Sequence, residues 1–152
     1  MPNQNQNANR FARRMGAECL GMRSRLIGRA ISGIYDDVLR PLGVTSAQLS
    51  VLAVIALRGP ISSGEVGRVL QIEKSTMSRN IDRLEKNGWV GVSTGETGRS
   101  RSLEISGSGR QLLTDAEPFW IEAQQQAEAL LGAEGPGAID RLARNVRAGS
   151  TT

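Results

Sequence analysis

The sequence predicts a mainly α-helical fold that carries one small β-hairpin. Apolar residues recur at helical spacing over most of the chain. Only one pair of short alternating segments, WVGVST and RSLEIS, flanks a glycine-containing loop, GETGRS. Pro41 with Gly43, RGPI (58–61) and Asn87–Gly88 punctuate the helical stretches. At 152 residues this is one domain, or one domain with helical extensions.

The elements follow in order. MPNQNQNANR has nothing to bury, and disorder is expected over residues 1–10. One long helix is predicted from about Phe11–Gly16 to Leu39. Met15, Cys19, Met22, Leu26 and Ala30 form one stripe on it, and Ile27, Ile31, Ile34 and Val38 an adjoining one. That apolar arc is wider than a single neighbour covers. Arg23, Arg25 and Arg29 interrupt it too often for a membrane-lying helix, so it reads as dimer core. VTSAQLSVLAVIAL is the next helix, with Thr45 or Ser46 as N-cap and Leu49, Leu52, Ile55 and Ala56 inward.

After RGPI there is room for a short strand. SSGEVGRVLQI then reads as a brief serine-capped helix. The stretch EKSTMSRNIDRLEKNGWVG gives a further helix, with Met77, Ile81 and Leu84 at i, i+4 and i+7. The two strands come next, joined by a flexible basic tip. GRQLLTDAEPFWIEAQQQAEALLG (109–132) reads as a long helix kinked at Pro118, and residues 137–148 as a last one with Ile139, Leu142 and Val146 apolar.

Composition removes many chemistries. With no histidine and one cysteine, neither a Ser–His–Asp triad nor a Cys–His pair fits within one chain. A His-ligated metal and an intrachain disulfide are likewise out. No catalytic residue, metal or cofactor is expected. No apolar run approaches the ~20 residues that span a bilayer, and a hydrophobic signal core is lacking. A cytoplasmic protein with no membrane partner is the expectation. Aromatics are only 3%, which gives few stacking platforms for single strands. Net charge is +4, distributed as +4 over residues 1–57, +3 over 58–110 and −3 over 111–152. A basic front and middle fit a polyanion.

A short helix, a tight turn, a second helix and a β-hairpin make a winged helix–turn–helix. In that arrangement the second helix enters the major groove of DNA with its leading end against the bases. Opposite its apolar stripe, this second helix begins with hydroxyls and a guanidinium, and its acids come later. Such groups bond phosphates and base edges, and the helix dipole there is positive. Ser75 and Ser78 carry a second reading, because a serine early in a helix is often a cap. Asn80 falls near the apolar side and reads as structural. Lys86 reads as a partner of Asp82.

On three segments in order the sequence resembles the MarR (multiple antibiotic resistance regulator) family of bacterial transcription factors. YDDVLRPLGVTSAQLSVLAVI is similar to the family's first-helix end and second-helix start. STMSRNIDRLEKNGWV resembles its recognition helix, and GRSRSLEISGSGRQLL its wing and following helix. The resemblance runs from about Leu26 to Leu131 and implies a homodimer on a pseudo-palindromic operator of double-stranded DNA. It implies major-groove roles for Ser75, Thr76, Ser78 and Arg79. Arg99 matches the wing-tip arginine that enters the minor groove; strand alternation puts Arg101 on the same face, within reach of phosphate as well, with Arg99 the stronger candidate. The family usually has an aspartate two residues before that arginine. Here the residue is Thr97, with Glu96 beside it.

The resulting expectation is a sequence-specific DNA-binding regulator, a homodimeric repressor released by a small-molecule or stress signal. Residues 11–152 form one winged-helix regulator domain, with 45–106 binding DNA and 11–40 and 108–148 dimerising. A small-molecule pocket between the dimer helices and the winged part, with mostly aliphatic walls, is implied. Two alternatives stay open. One is a redox sensor of the same fold using Cys19, although Cys19 shares its stripe with Met15 and Met22, where a buried inert thiol belongs. The other is a protein-interaction module without specific DNA binding.

Overall fold

The computed structural model describes residues 4–94 and 101–149. Within them seven α-helices and three strands follow one another as α1 (Gln4–Glu18), α2 (Leu20–Leu39), α3 (Ser46–Arg58), β1 (Ile61–Ser62), α4 (Ser63–Leu70), α5 (Lys74–Lys86), β2 (Val90–Thr94), β3 (Arg101–Ile105), α6 (Gly107–Leu131) and α7 (Gly135–Gly149). The order is the expected one, mainly α with a small wing. The wing gains a third strand in the room left after Arg58. Its antiparallel sheet runs β1–β3–β2, with Ile61 opposite Leu103 and Val90 opposite Ile105.

Two expectations at the N-terminus are corrected. Residues 4–10 are helical rather than disordered. Low hydrophobicity predicts that a segment buries little, and α1 buries nothing. Helicity is a separate property: Ala8, Phe11, Ala12 and Met15 extend one apolar face upstream of the expected start. The single long helix is also broken, because Cys19 is extended at φ −69, ψ 110. Gly16 and Gly21 flank the break and weaken the helix by about 1 kcal/mol each relative to alanine. The Arg23 guanidinium donates to the Ala17 carbonyl beside the break. Cys19, at the break, is half-buried in the single chain.

Short-range chemistry sets the remaining boundaries. Capping boxes start α3 (Thr45 with Gln48) and α4 (Ser62 with Glu65). Gln71, at φ 52, makes the tight turn between α4 and α5, and the Ile72 amide bonds the Gly67 carbonyl at 3.0 Å. At the end of α5, Gly88 is left-handed, at φ 73. Its amide bonds the Glu85 carbonyl while that of Trp89 bonds Leu84, a Schellman closure. α6 continues through Pro118, so the proline removes an amide donor without ending the helix.

The core lies beneath the wing, where α3 meets α2, α4, α5, α6 and β3. Leu39, Val51, Leu52, Ile55, Val66, Leu84 and Leu103 are its largest fully buried side chains. On α3 the buried residues are Gln48, Val51, Leu52 and Ile55. Leu49 is only half-buried, because it packs at the edge of the core and also lines a cleft. α3 is apolar nearly all round, and periodicity alone does not select its inner face.

Candidate nucleic-acid interface

α5 is held from below by Met77, Ile81 and Leu84, each buried in the core. That anchoring turns Ser75, Thr76, Ser78 and Arg79 outward, all exposed on the leading half of the helix. The Arg79 guanidinium stands 3.5 Å from the Thr76 hydroxyl. Glu73, the N-cap residue, makes no side-chain capping bond, and neither Ser75 nor Ser78 occupies the cap position. Lys74, unremarked in the sequence, opens the helix exposed and adds a cation to this end. Its position at N1 was the available signal.

At the trailing end the charges pair differently from expectation. Among the described residues Lys86 forms no ion pair with Asp82. Glu85 instead meets Arg101 of β3 at 3.2 Å, so Arg101 is tied to α5 rather than projecting alone with the wing. Arg99, with Glu96 and Thr97, lies outside the described residues. Asn80 is half-buried on the inner flank, and its amide nitrogen has no hydrogen-bond partner among the described residues.

The trailing end of α5 is also fastened to the start of α6. The hydroxyls of Ser106 and Ser108 both donate to the Gly88 carbonyl, at 2.6 and 2.7 Å. The Ser106 amide bonds the Trp89 carbonyl at 3.0 Å.

Further along α6 the same helix forms one wall of a cleft of about 800 Å³, closed by α2 and α3. The expected aliphatic lining is only partly present. Ile31, Leu39, Leu49 and Leu113 face the hydroxyls of Tyr35, Ser46, Ser50 and Thr114 and the carboxylate of Glu117. The Tyr35 hydroxyl donates to Gln124 of α6, and the Ser46 amide donates to Asp36 of α2 at 2.7 Å. Partial burial, aided by the negative Glu128, raises the Tyr35 pKa above its ordinary value. Sequence periodicity missed this cleft because its lining comes from three helices, of which α6 lies far along the chain from α2 and α3.

A helix–turn–helix followed by a three-stranded wing, with the outer face of the second helix polar and open, defines the winged helix–turn–helix class. The MarR family pattern matches residues 42–100. The Bacillus subtilis HTH-type regulator YwoH is 28% identical over 116 residues, 76% of this chain and 85% of YwoH. The M. tuberculosis regulator MosR, solved in complex with DNA, is 30% identical with a TM-score of 0.74, over 88% of this chain and 97% of that one. A mutant MarR from E. coli complexed with operator DNA has the same fold at 21% identity, with a TM-score of 0.75 over 88% of this chain and 96% of that one. The chain belongs to the MarR family.

Proposed function

We propose that the chain is a sequence-specific, double-stranded DNA-binding transcriptional regulator, a homodimeric repressor released by a small-molecule or stress signal. The observation that carries this reading is the outward leading half of α5. Its hydroxyls and cations sit on a wing-braced frame like that of MosR, which is solved with DNA. Ser75, Thr76, Ser78 and Arg79 read the major groove, while Arg99 and Arg101 contact the backbone at the flanks. No catalytic role is assigned to any side chain, and the chain is read as a binding protein rather than an enzyme. Among the described residues no single helix is long and apolar enough to cross a membrane. A cytoplasmic location is the reading that accompanies DNA binding.

The dimer reading rests on where apolar surface is left uncovered. Among the described residues, every large exposed apolar side chain except Leu57 lies on α1, α2, α6 or α7; Trp120 among them faces the cleft, and Phe11, Leu26, Leu130 and Leu142 are examples of the rest. Such a concentration at the two ends of the chain suits a two-fold interface built from those helices. Two α5 helices held rigidly in one dimer enter successive major grooves about 34 Å apart. A ligand in the cleft pushes on α6, whose start is bonded to the end of α5, and so alters that spacing. Duplex selection at about 150 mM salt, where non-specific binding is weak, tests the reading. A palindromic preference with nanomolar affinity is expected. A chain that stays monomeric at micromolar concentration and binds no duplex contradicts it.

A further inference from the structure

The cleft between α2, α3 and α6 is large enough for a drug-sized ligand, at about 800 Å³. Its electrostatics are one-sided. Among the described residues Glu117 is the one charged side chain lining it, and no lysine or arginine does. Leu113, Glu117 and Trp120 stand at i, i+4 and i+7 on α6, so the carboxylate is set between an aliphatic and an aromatic neighbour on one face. Glu117 joins none of the ion pairs among the described residues.

The rival reading is an anionic ligand at the positive N-terminus of α3, which also faces the cleft. That end is already occupied. The Ser46 amide donates to the Asp36 carboxylate at 2.7 Å, and the Gln48 amide to the Thr45 hydroxyl at 3.2 Å. Asp36, whose carboxylate accepts from the Ser46 amide, adds negative charge at that helix end. An incoming acid meets the Glu117 carboxylate in the cleft, the Asp36 carboxylate at the start of α3 and no lining cation. An incoming cation meets a carboxylate outside any ion pair among the described residues and the indole of Trp120, which is 47% exposed.

We propose that this cleft binds a lipophilic organic cation, its charge at Glu117 and its apolar body against Leu49, Leu113 and Trp120. The regulatory consequence rests on the reading of the chain as an effector-released DNA-binding regulator. Displacing α6 from α3 moves the Ser106–Ser108 end of α6, and with it the Gly88 turn that closes α5.

Tetraphenylphosphonium and tetraphenylborate are close in size and shape and opposite in charge, which isolates the sign. Each is titrated calorimetrically into the full chain in sodium buffer. The phosphonium is expected to bind saturably and at least about ten-fold more tightly than the borate. Glu117→Gln is expected to weaken the phosphonium by about ten-fold, or 1.4 kcal/mol, while leaving the thermal midpoint in place. Trp120→Leu should weaken it as well. Equal or tighter binding of the borate overturns the proposal, and so does wild-type phosphonium affinity in Glu117→Gln. The titration needs no DNA. A chain that binds phosphonium through Glu117 but no duplex therefore defeats the regulator reading and leaves the ligand class standing. Phosphonium binding that leaves a selected duplex fully bound removes the regulatory consequence.

Discussion

The backbone of Gly109 packs so closely under Trp89 that a β-carbon at position 109 would stand 2.2 Å from the Trp89 carbonyl oxygen and 2.9 Å from the Ile105 side chain. Real β-carbons do not approach backbone that closely, so either α6 or the β2 entry must shift. Gly109→Ala is therefore expected to destabilise the fold by about 1–3 kcal/mol or more, as overpacking does. A urea midpoint equal to that of the wild type would show that the junction yields without strain.

The uncovered apolar faces of α6 and α7 give a second expectation. Leu142 and Val146 are 62% and 56% exposed in the single chain. Substituting Glu at both positions leaves the winged part folded, since neither side chain enters its core. If these faces meet a second copy, the doubly substituted chain sediments as a monomer at concentrations where the wild type is dimeric. Persistence of the dimer would assign the interface elsewhere.

The arginines proposed to contact DNA separate by chemistry. Arg79→Ala should relax base preference in a selected-site logo, because a major-groove guanidinium reads guanine edges. Arg99→Ala should weaken all duplexes alike and lower the log-salt slope by roughly 0.9 for each phosphate left without its cation. Glu85→Gln removes the partner of Arg101. A surface pair of this kind contributes only about 0.2–1 kcal/mol. Its loss should hardly alter stability, yet it should strengthen non-specific DNA binding, because Arg101 then reaches phosphate without giving up a carboxylate partner. A gel-shift series over salt concentration checks both slopes.

Tyr35 supplies a pH signature. Its hydroxyl donates to Gln124, whose amide in turn donates to Glu128 at 3.0 Å. Burial first, and then the Glu128 charge, raise the folded-state pKa of Tyr35 above the ordinary tyrosine value. A raised folded pKa means that the stabilisation is complete below the unfolded value of about 10 and is lost as pH rises through the folded value. Tyr35→Phe should cost about 0.5–1.5 kcal/mol near neutral pH, as a net hydrogen bond does. The gap between the two proteins should close in alkaline unfolding series above pH ~10. A gap constant across that range would remove the hydrogen bond as its source.

Much of the architecture is written in local sequence. The apolar spacing of Met77, Ile81 and Leu84 fixes which side of α5 is inward, and so which residues face out. Thr45, Ser62 and the Asn87–Gly88 pair set helix ends through side-chain and backbone chemistry within a few residues. Those signals are short-range, and the chain carries them whatever it packs against. Other outcomes depend on surroundings. α3 is apolar on nearly all sides, so only its neighbours decide that Gln48 is buried and that Leu49 looks into the cleft. The break at Cys19 has no capping signal, and the helical state of residues 4–10 cannot be judged from how little they bury. Pairing Arg101 with Glu85 needs the wing folded back onto α5, sixteen residues away along the chain. The cleft is the clearest case. Glu117, Tyr35 and Ser46 lie on three helices, and no pattern along one helix reports what two others bring opposite it. Local periodicity determines the elements and their faces; only packing determines which faces meet, because contact between distant segments is set by shape and by the competition for buried surface.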